Sequence, residues 1–231
     1  VILVTGAAGV LGQAVIATLV VRGEVVAAVD LAPAIPPAGQ RLSIGGVDLA
    51  DATAGAALIA QLTGTSGAGP AGNGAAPLTG LVNVAGGFLW ETVSEGGWAS
   101  WERMYRINVQ TAFEASRLAL PALRASRGAI VNVSAAATAR AGAGMGAYTA
   151  AKSAVSRLTE ALAAEELANG VRVNAVLPSV IDTPANRRDM PDADPGRWVT
   201  PTEIAEVVAF LLSPAASGVT GALVPVVGRV G

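Results

Sequence analysis

The chain has 231 residues, 15 basic and 17 acidic side chains, a net charge of −2, and neither histidine nor cysteine. Without cysteine there are no disulfides, thiolate metal sites or cysteine nucleophile; without histidine there are no Ser-His-Asp triads or HExxH zinc sites, so no metal site is expected. With no basic cluster, and no apolar run near the ~20 residues of a membrane span, nucleic acid and membrane are poor partners, even at a mean hydropathy of +0.52.

Strands and helices alternate from the first residue. Val1–Thr5 reads as a buried strand, Leu11–Arg22 as a helix and Glu24–Asp30 as a valine-rich second strand. A third short strand precedes Asp48. Further apolar runs lie at Leu81–Val84, Ala129–Ser134, Arg172–Leu177 and Ala222–Val227, with helical patterns over Trp98–Leu120, Ala147–Ala168 and Thr202–Leu212. Continuous apolar strands separated by helices predict a parallel sheet covered on both faces. The fold expected is α/β, one Rossmann-like, doubly wound domain over residues 1–231. Two stretches depart from the alternation: Thr63–Pro77, expected to be an exposed loop, and Pro184–Val199, a candidate lid at the carboxyl edge of the sheet. No cleavable leader is read ahead of Val1, and a cytoplasmic location is expected.

Residues Thr5 to Gly12 (TGAAGVLG) join the first strand to the first helix. Gly6 suits the tight turn, Gly9 lets backbone approach a pyrophosphate, and Gly12 allows close helix–strand packing. Ala8, Val10 and Leu11 complete a cradle at the positive end of the helix dipole; the alternative is a merely tight turn. Asp30 ends the second strand, where a carboxylate can accept both adenosine ribose hydroxyls and repel a 2′-phosphate. That favours NAD over NADP; the alternative is a simple turn aspartate. Asp48 and Leu49 offer a carboxylate and an apolar side chain near adenine, although Asp48 is equally placed to cap the next helix.

The only lysine, Lys152, lies four positions after Tyr148, one of two tyrosines. On a helix that spacing stacks both side chains on one face. An ammonium beside a phenol favours the phenolate, which is what a tyrosine acid/base needs, and no histidine is present to take that role. The bland reading is a solvated lysine near a packed tyrosine.

In order and approximate spacing, the glycine pattern, Asn83-Val84-Ala85-Gly86, Asn108, Tyr148-x-x-x-Lys152 and Pro178-x-x-x-x-Thr183 resemble the short-chain dehydrogenase/reductase family over nearly the whole chain. The resemblance implies an NAD(H)-dependent oxidoreductase acting on a small carbonyl or alcohol substrate. Tyr148 would exchange the proton, and Lys152 would hold the nicotinamide ribose and depress the tyrosine pKa. Asn108, in a kinked helix, would bind a water linking Lys152 to solvent. Asn83, Ala85 and Gly86 would flank the adenosine ribose, and the Pro178 motif, through Val180 and Thr183, would hold the carboxamide. The helices over Trp98–Leu120 and Ala147–Ala168 would pair between subunits, giving a homodimer or homotetramer.

The family's serine stands thirteen residues before the tyrosine, which here is Ala135; Ser134 is its neighbour and the remaining candidate hydroxyl. Residues 177–198, with Ala85-Gly86-Gly87 and Gly144-Met145-Gly146, are similar to dihydropteridine reductases, which also lack that serine. A quinonoid dihydropterin is therefore an alternative substrate. A catalytically idle NAD(H)-binding sensor is the alternative of another class. Trp90, Met145, Met190 and Trp198 are candidate walls of the substrate pocket, with plain packing as the other reading.

Overall fold

The computed structural model describes residues 1–64 and 76–230. In chain order it contains β1 (Ile2–Thr5), α1 (Val10–Val21), β2 (Val26–Val29), β3 (Leu42–Ile44), α2 (Ala52–Thr63), β4 (Gly80–Asn83), α3 (Trp98–Tyr105), α4 (Thr111–Ser126), β5 (Ala129–Val133), α5 (Gly146–Glu165), β6 (Arg172–Pro178), α6 (Pro184–Asp189), α7 (Pro201–Leu212) and β7 (Leu223–Val226). The strands form one sheet in the order β3-β2-β1-β4-β5-β6-β7, and every pairing is parallel.

Strand alternation divides the core into two layers. Ile2, Val4, Val26 and Ala28 face α1 and α7, packing with Val15, Ile16, Ile204 and Val208. Leu3, Ala27 and Val29 face the other way and pack with Leu58, Leu120, Leu123 and Leu162 of α2, α4 and α5. Both faces are dry, which is why the strands read as unbroken apolar runs rather than alternating ones.

Two local expectations differ from the structure, and the candidate lid gains detail. The helix expected over Trp98–Leu120 is interrupted by a π-helical turn at Arg106–Gln110 and continues to Ser126. Helix α2 has no counterpart in the sequence reading, because its alanine-rich face gives little periodicity, and it ends at Thr63, the first residue of the expected Thr63–Pro77 loop. Of that loop, residues 65–75 lie outside the described residues. The candidate lid is ordered: α6 fills its first half, Ile181 bridges to Val199, and Trp198 is buried.

The strand order reverses between β1 and β4, and chains leaving that point diverge to open a crevice at their carboxyl ends. The Thr5 hydroxyl accepts from both Val84 N and Ala85 N at 3.1 Å, stitching the two strand ends together. Gly6 follows at φ 63°, with its Cα so close to the chain leaving β4 that a Cβ would stand 2.6 Å from Ala85 N. Gly6→Ala should therefore cost at least ~2 kcal/mol in denaturant unfolding, from left-handed backbone plus the collision. Gly9→Ala would meet only Gly6 O at 3.4 Å and should lose under ~1 kcal/mol; equal losses would show that close approach is not what selects glycine at position 6.

Candidate active site

The glycine turn delivers α1 with its N-terminus facing the crevice. Gly9 is the N-cap and no side chain caps the first turn, so the N–H groups around Val10 and Leu11 are available to an anion. A Cβ on Gly12 would collide with Gly6 O, so glycine there is what lets the helix fold back onto the turn.

Asp30, just past β2, accepts from Ala8 N through Oδ2 and from Ala32 N through Oδ1, both at 2.8 Å. It thus has the turn role weighed for it, and it also fixes Ala8 of the cradle, keeping its charge beside the glycine turn. Asp48 is not a helix cap; Asp51 caps α2 by accepting from Thr53 N. The Asp48 carboxylate instead pairs with Arg106 at 2.5 Å and accepts from Ala50 N at 2.9 Å. The Arg106 hydrogen bond holds its pKa below the usual carboxylate value. Leu49 is buried in the core beneath it.

Tyr148 and Lys152 lie on consecutive turns of α5, as the spacing required. Lys152 is buried, and its ammonium donates to Val133 O, the last residue of β5, at 2.9 Å. The next residue holds the same lysine from behind: the Ser134 hydroxyl donates to Lys152 O at 2.8 Å and pairs with Ser156 Oγ at 2.8 Å. Ser134 is therefore not a free hydroxyl for substrate. It faces α5, as alternation from Asn132 demands, and Asn132 in turn donates to Thr159 of α5. In the free protein the phenol is not lowered. Burial pushes Tyr148 up to about 12 and Lys152 down to about 8, since desolvation disfavours both charged forms and no hydrogen bond joins the two heads in the free protein.

Asn108 falls in the π-helical turn, and that distortion aims its side chain at the loop after β4. Its Oδ1 accepts from Gly87 N at 3.2 Å, and its Nδ2 donates to Gly87 O at 3.1 Å and Met104 O at 3.0 Å. The side-chain amide is thus bonded to main chain. A Cβ on Gly86 would stand 2.5 Å from Asn108 Oδ1 and 3.2 Å from Lys152 Nζ, so this backbone lies directly against the lysine head. Ala85 is partly open beside it. Asn83 is a correction: its side chain turns into the protein, donating to Asn132 Oδ1 at 2.8 Å and Ser116 Oγ at 3.0 Å, and it does not line the crevice.

At the end of β6 Pro178 is buried, while Val180 and Thr183 beyond it are partly open, and the Thr183 hydroxyl accepts from Asn186 N as the cap of α6. Trp198 packs inward and is no pocket wall. Thr5, Val133 O and Phe88 were missed by sequence reasoning. Thr5 and Val133 act through strand ends that only pairing reveals, whereas Phe88, whose ring meets Tyr148 edge-on at 4.9 Å, sits two residues past Gly86 and could have been flagged. A separate cavity of about 890 Å³ opens at the opposite edge of the sheet, against Ile2, Gly80 and Ala129, at the strands' amino ends.

A family model described as enoyl-(acyl carrier protein) reductase matches residues 11–228. The 2-(S)-hydroxypropyl-CoM dehydrogenase 3 of Xanthobacter autotrophicus is 35% identical, over 96% of this chain and 92% of its own length. The meso-2,3-butanediol dehydrogenase of Serratia marcescens is 30% identical, over 99% and 93%. A solved short-chain type dehydrogenase/reductase from Mycobacterium ulcerans superposes with a TM-score of 0.86 at 26% identity, covering 99% of this chain and 88% of that one. Extending over almost the full length of each relative, these likenesses make the chain a member of the short-chain dehydrogenase/reductase family, and an oxidoreductase.

Proposed function

We propose that the protein is an NAD(H)-dependent oxidoreductase in which Tyr148 exchanges a proton with the oxygen of a small carbonyl or alcohol substrate. The observation that carries this reading is Lys152, an otherwise unexplained buried ammonium one helical turn from a half-buried phenol. The residues present fit a dinucleotide: an uncapped helix N-terminus for phosphate, a carboxylate at the end of β2 for a ribose, and glycine where a Cβ would crowd Lys152 Nζ.

A nicotinamide bound there would supply the hydride, or take it up, at the substrate carbon. The phenol gives its proton to the developing alkoxide in reduction and takes it back in oxidation. Lys152 has donors left beyond the one on Val133 O, and they would hold ribose hydroxyls; its charge would then oppose the desolvation that keeps the free phenol near 12. Asn108 would keep the Gly86–Gly87 turn pressed against that ribose by gripping the Gly87 N–H and carbonyl. Near Asp30 a 2′-phosphate would meet a fixed carboxylate, which supports NAD over NADP. Exposed Tyr105 and Phe113 on the α3–α4 side support self-association as a dimer or tetramer.

Withdrawal of the Ser134 hydroxyl into α5 favours one second reading, quinonoid dihydropterin as substrate, since an already polarised acceptor needs less help at its oxygen. NADH oxidation against that pterin and a ketone panel separates the two, and turnover of either removes the idle-sensor reading.

Tyr148→Phe should reduce turnover by at least ~10²-fold with NADH affinity nearly intact, the scale of one acid/base group. Lys152→Arg should be similarly impaired, because a planar guanidinium does not match a point-charge site; near-normal rates for either variant would sink the mechanism.

Asp30→Asn keeps an acceptor for Ala8 N but removes the charge, so it should raise kcat/KM with NADPH roughly tenfold relative to NADH, about 1.4 kcal/mol. An unchanged ratio would mean that another group reads the ribose.

Lys152 also predicts a pH effect on the free protein. Its folded pKa of about 8 lies below the ordinary 10.5, so the unfolded chain binds its proton more readily and stability rises with pH through that window. Between pH 7 and 9.5 the wild type should gain ~2 kcal/mol relative to Lys152→Met in urea melts. Above pH 10 the raised Tyr148 pKa works the other way. Parallel pH responses of the two proteins would show that the lysine is not desolvated.

A further inference from the structure

The segment after Gly86 alternates. Leu89 packs inward against the Met104–Val155 cluster, while Phe88 and Trp90 on either side of it face solvent, 57% and 56% exposed. Neither ring is loose. Phe88 meets the Tyr148 ring at 4.9 Å and 78°. Trp90 lies so close to Gly144 that a Cβ there would collide with its indole, and Glu91 N donates to Gly144 O at 2.9 Å, tying this segment to the loop that leads into α5. One exposed aromatic ring against the acid/base phenol, and a second two residues on against the loop that leads to that phenol, are a surface prepared for an apolar ligand. The polar side of the same place is bare: Ser134 is committed to Lys152 O and Ser156, and the residue after it is a buried alanine, Ala135.

We infer that the substrate carries a planar aromatic ring next to the reacting carbon, and that Phe88 and Trp90 grip this ring where no side-chain hydroxyl from the end of β5 is free to hold the oxygen. The inference rests on the hydride-transfer reading above and adds the substrate class to it.

Acetophenone and the open-chain 2-octanone, equal in carbon number, test it with NADH as reductant. Two aromatic contacts predict a KM for acetophenone about tenfold below that for 2-octanone. Trp90→Ala should erase most of that difference through KM rather than kcat, and Trp90→Phe should restore most of it. Equal KM values for the two ketones in the wild type, or Trp90→Ala with an unaltered ratio, would overturn the ring site while leaving hydride transfer standing. Calorimetric binding of acetophenone to the NADH-loaded Tyr148→Phe and Tyr148→Phe/Trp90→Ala proteins covers the converse case. Binding that is lost with Trp90, in a protein whose wild type oxidises NADH with no carbonyl, would support the ring site and remove the hydride-transfer reading. Absence of both binding and turnover of acetophenone would overturn the ring site.

Discussion

A buried ammonium is the constraint around which this site is arranged. Charge inside a packed interior is costly unless it is bonded, and Lys152 is held at both ends by consecutive residues where β5 ends: its head by Val133 O, its main-chain carbonyl by the Ser134 hydroxyl. The strand therefore fixes the helix, and the helix fixes Tyr148 one turn earlier. Desolvation sets both protonation states in the free protein, with the phenol proton tightly held and the lysine easily discharged. Charge brought in by a dinucleotide would alter that balance, which couples loading of the site to readiness for proton transfer.

The rest of the sheet serves the same geometry. Thr5 ties β1 to β4 at the point where strand order reverses, Gly6 passes beneath Ala85 at close range, and Asp30 holds Ala8 from the neighbouring strand end. Three strand termini are thus bonded to one another around the first turn of α1. A cradle built from main chain needs such bracing, because it has no side chains of its own with which to hold its shape.

Much of this was legible in the sequence. Unbroken valine and isoleucine runs gave the parallel sheet, the glycine spacing gave the turn, and the four-residue interval gave the tyrosine–lysine face. What sequence could not supply was direction. Ser134 and Asn83 were both assigned to the crevice, yet alternation along β5 and β4 turns them toward α5 and α4, and a reading one residue out of register reverses a side chain completely. Helix α2 escaped notice because alanine carries little amphipathic signal. The raised Tyr148 pKa of the free protein was not legible, because proximity of a charge is visible in spacing whereas burial is a property of the packed whole.

The π-helical turn at Arg106–Gln110 has a consequence for the helix that contains it. One residue more than an α-helical turn needs rotates everything downstream by about 100° relative to everything upstream. The stretch from Trp98 to Ser126 is thereby two helices out of phase on a common axis. The first half turns Met104 toward Val155 of α5, and the second turns Ala115, Ala119 and Leu123 toward the sheet. Asn108 stands at the phase break, the one place where a side chain can face neither layer and reach the loop between them. An uninterrupted helix would have the better hydrogen bonding and nowhere to aim that amide.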